Sequence, residues 1–403
     1  MNLPDAPWQS RTGMAKLLRA LGAGRGETRF VGGCVRDTLL GIDASDVDLA
    51  TRIAPGEVIA RLEAARIKVV PTGIAHGTVT AVLDGKPIEV TTLRRDVATD
   101  GRRATIAFTE DWREDAARRD FTINAMSADP KTRTVYDYFG GLDDIAARQV
   151  RFIGDPLQRI AEDHLRILRF FRFHARFGRG APDPDGLAAC AARANDLMAL
   201  SRERIADEVL KLLALPEPTD TVGLMIERGI LKPVLPEIAS VERLAPLPKR
   251  ERAADVEPDS IRRLAALLPP GIAAEIASRL RLSNAARQRL SCILSGDDAV
   301  ADDPRVLAYY SGPACAIDRL LLDQRLATAE AGRRVRMLAS WKRPRLPIGG
   351  GDLIAMGLEA GPVVAATMQA IEREWVTSGF SGSRADLRAV ARRHVDQALR
   401  ASQ

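Results

Sequence analysis

A change in the periodicity of apolar residues divides this 403-residue chain near residue 151. Between about residues 28 and 129, short apolar and β-branched runs alternate with helical patterns, whereas later residues show only amphipathic patterns with a period near 3.6. Asp84-Gly85 separates two of the strand-like runs and predicts an antiparallel hairpin. The sequence therefore predicts an α+β N-terminal domain with a mixed sheet and helices, followed by an all-α remainder.

Composition and charge narrow the classes of function. No apolar run approaches the ~18 residues of a membrane span, and the N-terminus lacks a signal-peptide pattern, so we expect a cytoplasmic protein without membrane partners. The four cysteines form no CxxC pair, which predicts neither a zinc site nor a disulfide framework. Residues 331–403 carry twelve Lys and Arg against six Asp and Glu. This surplus suits an RNA backbone, although a solvated helical surface would show it equally well.

The strongest chemical pattern lies between residues 31 and 48. Gly32-Gly33 end a predicted strand and open a helix, which places backbone N–H groups where a triphosphate can bind, and Arg36 lies one turn later. Twelve residues separate Gly33 from Asp46, and Asp46 and Asp48 are spaced to face one side of a strand. Two adjacent carboxylates repel each other unless they share cations, and paired Mg²⁺ ions serve phosphoryl transfer in this way. The competing interpretation is an Asp-rich turn that caps local backbone.

The segments GGCVRD, DVD, RRDFTINAMSAD and RIAEDHLRILRFFRF occur in this order between Phe30 and Phe177. Together they resemble the bacterial class II CCA-adding tRNA nucleotidyltransferases and poly(A) polymerases, within the polymerase-β-like nucleotidyltransferase superfamily. The resemblance implies a catalytic head at residues 1–150, a helical neck that recognises the base at 151–215, a helical body at 216–330 and a basic, tRNA-binding tail at 331–403.

The same resemblance implies residue roles. Asp46 and Asp48 would be catalytic and hold two Mg²⁺ ions. The residues expected to bind the nucleotide are Gly33 and Arg36 at the triphosphate, Arg119, Asp120 at the ribose 2′-hydroxyl, Asp163 and Arg166 at the base edge, and Arg169 and Arg172 in support.

Three features permit two interpretations. Asp163, Arg166, Arg169 and Arg172 recur every three residues, which fits either base recognition or an exposed ladder of i,i+3 ion pairs. Glu89 is either a third metal ligand or an ordinary exposed strand residue. The polar segment 94–110 has the composition of a mobile loop, and in the family the matching segment helps to reset the site between C and A addition.

These expectations describe an enzyme that transfers CMP, CMP and AMP from CTP and ATP to the 3′ end of tRNA. A poly(A) polymerase and a CC-adding or A-adding specialist share the head motifs. Two further alternatives are an RNA-binding protein with a decayed site and a small-molecule nucleotidyltransferase. Retention of Asp46 and Asp48 disfavours the first, and the long basic helical half disfavours the second.

Overall fold

The computed structural model of the chain describes residues 1–99, 104–295 and 303–401. They form two compact units, Met1–Ala239 and Ser240–Gln403. The first unit thus combines the predicted head and neck with the start of the predicted body, and the finer division at 150, 215 and 330 stays a prediction. Across the described ranges, no helix has the length and apolarity that crossing a bilayer requires.

A seven-stranded mixed sheet forms the centre of the first unit, in the order β3-β4-β5-β2-β1-β8-β9. Strand β2 runs parallel to β5, and the other neighbours are antiparallel, including the predicted β4–β5 hairpin. A separate two-stranded sheet joins β6 and β7. The strands are β1 Thr28–Val31, β2 Asp48–Thr51, β3 Lys68–Gly73, β4 Thr78–Leu83, β5 Lys86–Thr92, β6 Arg94–Thr99, β7 Ala104–Phe108, β8 Ser127–Ala128 and β9 Val135–Tyr136.

One face of the sheet is covered because its strands alternate apolar and polar residues. In β4, for example, Val79, Ala81 and Leu83 are buried while the residues between them are partly exposed. They join a core with apolar residues of the first three helices. The α-helices of this unit are α1 Met14–Ala20, α2 Gly33–Leu39, α3 Pro55–Ala64, α4 Trp112–Ala117, α5 Gly141–Ala147, α6 Pro156–Glu162, α7 Arg166–Phe177, α8 Pro184–Ala192, α9 Arg202–Leu213 and α10 Thr219–Glu227. Short 3₁₀ helices cover Pro7–Ser10, Ala23–Arg25, Ile74–His76, Thr122–Asn124 and Ala194–Ala199.

The second unit is helical throughout its described residues. Its aromatic core packs Tyr309, Trp375 and Phe380 together, with ring centroids 5.3–6.0 Å apart. Its helices are α11 Leu247–Ala254, α12 Ser260–Leu267, α13 Ala273–Arg279, α14 Asn284–Ile293, α15 Pro304–Ser311, α16 Pro313–Leu322, α17 Thr328–Ala339, α18 Gly350–Ala355, α19 Pro362–Thr377 and α20 Arg384–Ala401.

A network of buried charges joins several of these helices. Glu251 accepts from both Arg262 and Arg263 at 2.6–2.7 Å, and Asp318 accepts from both Arg262 and Arg289 at 2.6–2.8 Å. Arg289 also pairs with Asp259 at 2.7 Å. Because every carboxylate meets a guanidinium here, desolvation is offset by direct pairing. The six residues Glu251, Asp259, Arg262, Arg263, Arg289 and Asp318 are hereafter the buried ion network.

A disulfide between Cys292 and Cys315 contradicts the prediction that the cysteines form no such bond. The two residues are 23 positions apart, and only the packing of α14 against α16 brings their Cα atoms to 6.2 Å. Cys34 and Cys190 are free and buried. Spacing along the chain carries no information about this pairing, so the sequence could not reveal it.

Two predicted irregular segments form regular structure. Within the polar segment 94–110, the described residues form the β6–β7 hairpin rather than a loop, and residues 100–103 of that prediction lie outside the described part. The prolines of LPKRERAADVEPDS predict a break between helices at 247–260, but this segment contains α11, with Pro248 in its first turn. Proline is tolerated there because the N–H groups of a first helical turn have no partner within the helix.

Candidate active site

A cavity of about 470 Å³ opens in the first unit at the ends of the central strands β1 and β2 of the large sheet. Val31 pairs with Asp48 in the antiparallel β1–β2 register, so the residues after β1 and before β2 leave the sheet together. The cavity, hereafter the cleft, is lined by Gly32, Gly33, Arg36, Asp37, Ser45, Asp46, Asp48, Arg119, Asp120, Asn124, Asp163, Arg166, Arg169, Phe173 and Arg176. Of the predicted site residues, Arg172 and Glu89 are absent from this lining.

Backbone geometry explains the glycine that opens α2. Gly32 has a φ of +68°, and a Cβ at this position would lie 3.0 Å from the Arg119 guanidinium. A larger residue would therefore be strained and would displace Arg119. Arg36 is buried, donates from Nε to Asp37 at 2.8 Å, and stacks 4.1 Å from the centre of the Phe177 ring. Burial lowers the pKa of Arg36, an effect that the negative charge of Asp37 opposes.

Asp46 and Asp48 lie together at the mouth of the cleft. The strand begins at Asp48, so Asp46 precedes it instead of lying on it as predicted, and its carboxylate accepts from Ser45 at 2.9 Å. Burial raises the pKa of Asp48 to about 6; the charges of Glu89 and Asp46 add to this rise, whereas Arg119 opposes it. In the described part of the chain, no side chain donates a hydrogen bond to the Asp48 carboxylate. The protein itself therefore gives the Asp48 carboxylate no hydrogen-bond donor, and the positive charge of Arg119 compensates its negative charge only in part.

The donors at this position suit a hard divalent cation, because carboxylate oxygens are the ligands that such ions prefer. Glu89 pairs with Asp48 in the parallel β2–β5 register, yet its side chain is exposed. Among the residues described, no set of three or more His, Cys, Asp or Glu residues is arranged around a common metal position. The two aspartates therefore fit a metal that takes further ligands from a bound substrate, and a role for Glu89 stays a prediction.

A chain of ion pairs supports the inner wall of the cleft. Asp120 accepts from the Phe121 N–H and the Asn124 amide at 2.9 Å, and from Arg169 Nε at 2.8 Å. Burial alone would raise the pKa of Asp120, but the positive charge of Arg169 and these hydrogen bonds lower it overall. Both carboxylate oxygens accept hydrogen bonds, and Asp120 thereby positions Arg169, while its contact with a ribose 2′-hydroxyl stays a prediction.

Behind Arg169, a buried glutamate extends this chain. Glu208 on α9 lies 3.7 Å from Arg169 and accepts from Arg172 Nε at 2.6 Å. Arg172 is therefore paired with Glu208 and does not line the cleft. Its predicted support for the nucleotide would act through Glu208 and Arg169.

The three-residue spacing from Asp163 to Arg172 predicts one continuous helix through these residues, but the structure interrupts the helix at Asp163. Helix α6 ends at Glu162 and α7 begins at Arg166, while Asp163 has extended backbone with a φ of −152°. Asp163 accepts from Arg204 Nη2 at 2.8 and 3.1 Å, and Arg166 donates to Glu162 at 2.6 Å. The alternative of an ion-pair ladder in which Asp163 pairs with Arg166 is therefore wrong, because Asp163 pairs with Arg204 and Arg166 pairs with Glu162. The break turns both side chains into the cleft.

Sequence reasoning gave no role to several residues that complete the site. Asn124 joins Arg36 to Asp120, Arg204 holds Asp163, and Glu208 holds two arginines. Asn124 lies in the conspicuous segment RRDFTINAM, which was the available signal. Arg204 and Glu208 are separated from their partners by 36–41 positions, and they resemble ordinary charged residues of an amphipathic helix.

Family profiles match two parts of the chain. The family described as "Poly A polymerase head domain" matches residues 28–151, and the one described as "Probable RNA and SrmB- binding site of polymerase A" matches residues 181–242. The first range contains Gly33, Asp46, Asp48 and Asp120, and the second contains Arg204 and Glu208.

Relatives align over nearly the whole chain. The mouse mitochondrial CCA tRNA nucleotidyltransferase 1 is 32% identical over 94% of this chain and 90% of its own length, and the CCA-adding enzyme of Geobacillus stearothermophilus is 32% identical over 91% and 92%. A crystal structure of the Bacillus stearothermophilus CCA-adding enzyme in complex with CTP is 29% identical, with a TM-score of 0.72 over 92% of this chain and 94% of its own. The Thermotoga maritima CCA-adding enzyme complexed with tRNA shares the fold, with a TM-score of 0.69, 18% identity and coverage of 97% and 95%. The chain belongs to the family of CCA-adding tRNA nucleotidyltransferases and poly(A) polymerases, whose head has the polymerase-β-like fold.

Proposed function

We propose that this nucleotidyltransferase completes the 3′ end of tRNA by adding C, C and A from CTP and ATP without a nucleic acid template. The observation that carries the proposal is the cleft itself. One cavity brings the uncompensated carboxylates Asp46 and Asp48 together with Asp163 and Arg166, a pair that offers both hydrogen-bond acceptors and donors. A transferase that chooses bases without a template needs both features within reach of one nucleotide.

Asp46 and Asp48 would hold Mg²⁺, which fits their oxygen donors and their exposure to the cleft. When bound, the cations neutralise the triphosphate and stabilise charge on the attacking and leaving oxygens. The 3′-hydroxyl of the RNA forms the new bond to the α-phosphorus while the bond to pyrophosphate breaks. The carboxylates fix where this exchange takes place, and their mutual repulsion favours the state in which cations are bound.

The triphosphate would lie across the opening of α2. Gly32 leaves the backbone accessible there, and Arg36 and Arg119 supply positive charge in the same cavity. Arg36 is held by Asp37 and stacked on Phe177, so its guanidinium is fixed before the nucleotide arrives. Because the guanidinium is already positioned, less conformational entropy is lost when the nucleotide binds.

Selection of the base would fall to Asp163 and Arg166. Their extended and helical backbones meet at the α6–α7 break, so both side chains line the cleft, with an acceptor on Asp163 beside the N–H groups of Arg166 that remain after it donates to Glu162 and to the Arg118 and Arg159 carbonyls. The edges of cytosine and adenine each present an amino donor next to a ring-nitrogen acceptor, which such a pair can match. Arg204 fixes the orientation of the Asp163 carboxylate.

The acceptor would be tRNA, bound in part through the basic residues of 331–403 by contacts to phosphates. We place this activity in the cytoplasm, where tRNA and both nucleoside triphosphates are available.

Incorporation of labelled CTP or ATP, with Mg²⁺, tests the proposal. The substrates are tRNA transcripts that end before CCA, after one C and after CC, together with an unrelated RNA of equal length. We expect two Cs and one A, in order and on tRNA alone. A long A tract on every RNA would instead indicate a poly(A) polymerase, and no incorporation would leave an RNA-binding protein.

A further inference from the structure

A second cavity, of about 530 Å³, lies within the unit 240–403 and belongs to no site described above. It is hereafter the tail cavity. Its lining combines a buried phenol, two arginines and a glutamate with the apolar side chains of Leu346 and Met368. Its volume falls within the range of ~300–1,000 Å³ that is typical of small-ligand pockets.

The floor of the tail cavity holds a fixed acceptor. Tyr309 is buried and donates its hydroxyl to Glu372 Oε1 at 2.6 Å. Burial and the neighbouring Glu372 raise the pKa of Tyr309 to about 12, so the phenol remains a donor at neutral pH. Within the residues that the structure describes, the other carboxylate oxygen of Glu372 accepts no hydrogen bond. It is therefore available to a donor on a ligand.

One wall is a stacking surface. The Arg343 guanidinium lies 4.6 Å from the centre of the Tyr309 ring, and the Arg343 side chain is otherwise exposed. An arginine held over an aromatic ring can present the other face of its guanidinium to a ligand, and RNA bases stack on such planes. Arg345, also exposed, adds a positive charge at the rim, and no carboxylate among the described residues pairs with either arginine.

These groups together select a class of ligand. A carboxylate ligand would be repelled by Glu372, and a purely apolar ligand would form no hydrogen bond with Glu372 and no ion pair with Arg345. A nucleobase with an exocyclic amino group satisfies all of them, because its ring stacks, its amino group donates and its adjacent phosphate carries negative charge. The surrounding residues 331–403 carry twice as many basic as acidic side chains, which favours a ligand within a polyanion.

We propose that the tail cavity binds one nucleobase of an RNA, an adenine, cytosine or guanine, stacked on Arg343, with its amino group at Glu372 and its phosphate at Arg345. The inference rests on the proposed function in that the RNA is the tRNA substrate. It adds a contact that anchors the RNA independently of the cleft chemistry.

Equilibrium binding of a tRNA transcript without CCA tests the site in the full-length protein. Arg343→Ala should weaken binding about tenfold, the scale of one lost base stack. Arg345→Ala should lower the slope of log K against log salt by about one, as expected for one phosphate contact. Arg400→Ala is the matched control, since it removes an exposed arginine of the same unit outside the cavity. Equal effects of Arg343→Ala and Arg400→Ala would overturn the proposal.

A second measurement addresses the base and its source. Oligo(A) and oligo(C) should bind more tightly than oligo(U), and Glu372→Gln should reduce this preference because it replaces a free acceptor by an amide. An unchanged preference in Glu372→Gln would contradict a nucleobase site. Displacement of the RNA by free AMP, at the same concentration at which the RNA itself saturates the site, would contradict a site for RNA. CCA addition by the wild-type protein is measured in parallel. If the wild-type protein adds no CCA but its RNA binding still depends on Arg343, the proposed function is contradicted and the tail-cavity site is not. If it adds CCA but its RNA binding does not depend on Arg343, only the tail-cavity site is contradicted.

Discussion

The cleft and the buried ion network differ in whether their carboxylates are paired with guanidinium groups. In the network, the carboxylates Glu251 and Asp318 are each at most 1% exposed, and each accepts from two guanidinium groups. In the cleft, Asp48 lies beside Asp46 and near Glu89, and its pKa is raised to about 6, first by burial and then by the charge of Glu89. The carboxylates of the network are neutralised by the protein's own arginines, whereas we propose that the pair lining the cleft is neutralised by a bound cation.

This difference separates structural charge from functional charge. A buried carboxylate without a partner destabilises the fold, so its persistence indicates a ligand that completes it. The comparison also explains why the other cleft charges, such as Asp120, are paired like those of the network. In this proposal the paired charges stabilise the wall of the cleft, while Asp46 and Asp48 would contact the substrate through bound cations.

The largest effect should come from Asp48→Asn. Incorporation of CMP into tRNA should fall by about a thousandfold, the scale of losing one group that stabilises transition-state charge. The free energy of unfolding should stay equal or rise, because the substitution removes charge repulsion. Asp43→Asn is the control, since Asp43 is exposed in the same segment and does not line the cleft. Retained activity together with lower stability would make Asp48 a structural residue.

In the buried ion network, Glu251→Gln should have the opposite effect: a lower free energy of unfolding. The free energy of unfolding of the second unit should fall by about 3–5 kcal/mol, because Arg262 and Arg263 would lose the buried carboxylate that they share. Glu275→Gln, which breaks an exposed ion pair with Arg279, should cost less than about 1 kcal/mol. Thermal and urea unfolding measure both. Equal effects would show that the network contributes no more than a surface pair.

Reduction of the Cys292–Cys315 disulfide should cost less than loss of Glu251. The bond joins the helices that Arg289 and Asp318 also join, so the ion pair keeps the two helices together after reduction. Closing a loop of this length contributes about 3 kcal/mol in the chain-entropy account. The midpoint of urea unfolding, with and without dithiothreitol, measures it, and Cys190→Ser serves as the control because Cys190 is free. An unchanged midpoint, with two more thiols titrated, would exclude a stabilising role.

The smallest effect concerns base choice at the α6–α7 break. Asp163→Ala should reduce discrimination of CTP and ATP against UTP and GTP by about tenfold, the scale of one lost hydrogen-bonding contact to a base. The rate with CTP should fall less. Single-nucleotide incorporation gives both values, with Asp207→Ala as an exposed control outside the cleft. Selectivity equal to that of the wild type would leave the Asp163–Arg204 pair a purely structural contact.

The sequence was sufficient where local pattern determines structure. The β4–β5 hairpin follows from alternating residues around Asp84-Gly85, and the position of Gly32 follows from its motif. The break at Asp163 could not be predicted, because EDHLR contains no glycine or proline. There, a tertiary contact from Arg204 holds the extended backbone. The disulfide and the partners of Glu208 likewise depend on packing between residues distant in the chain.

The central claim is that Asp46 and Asp48 form an uncompensated pair completed by divalent cations. Calorimetric titration of Mn²⁺, with and without CTP, into the wild-type protein and the Asp46→Asn and Asp48→Asn variants tests it most directly. The account predicts Mn²⁺ binding to the wild type that CTP strengthens, and loss of this binding in both variants while their thermal stability is equal to that of the wild type or higher. Equal binding of Mn²⁺ to all three proteins would contradict it.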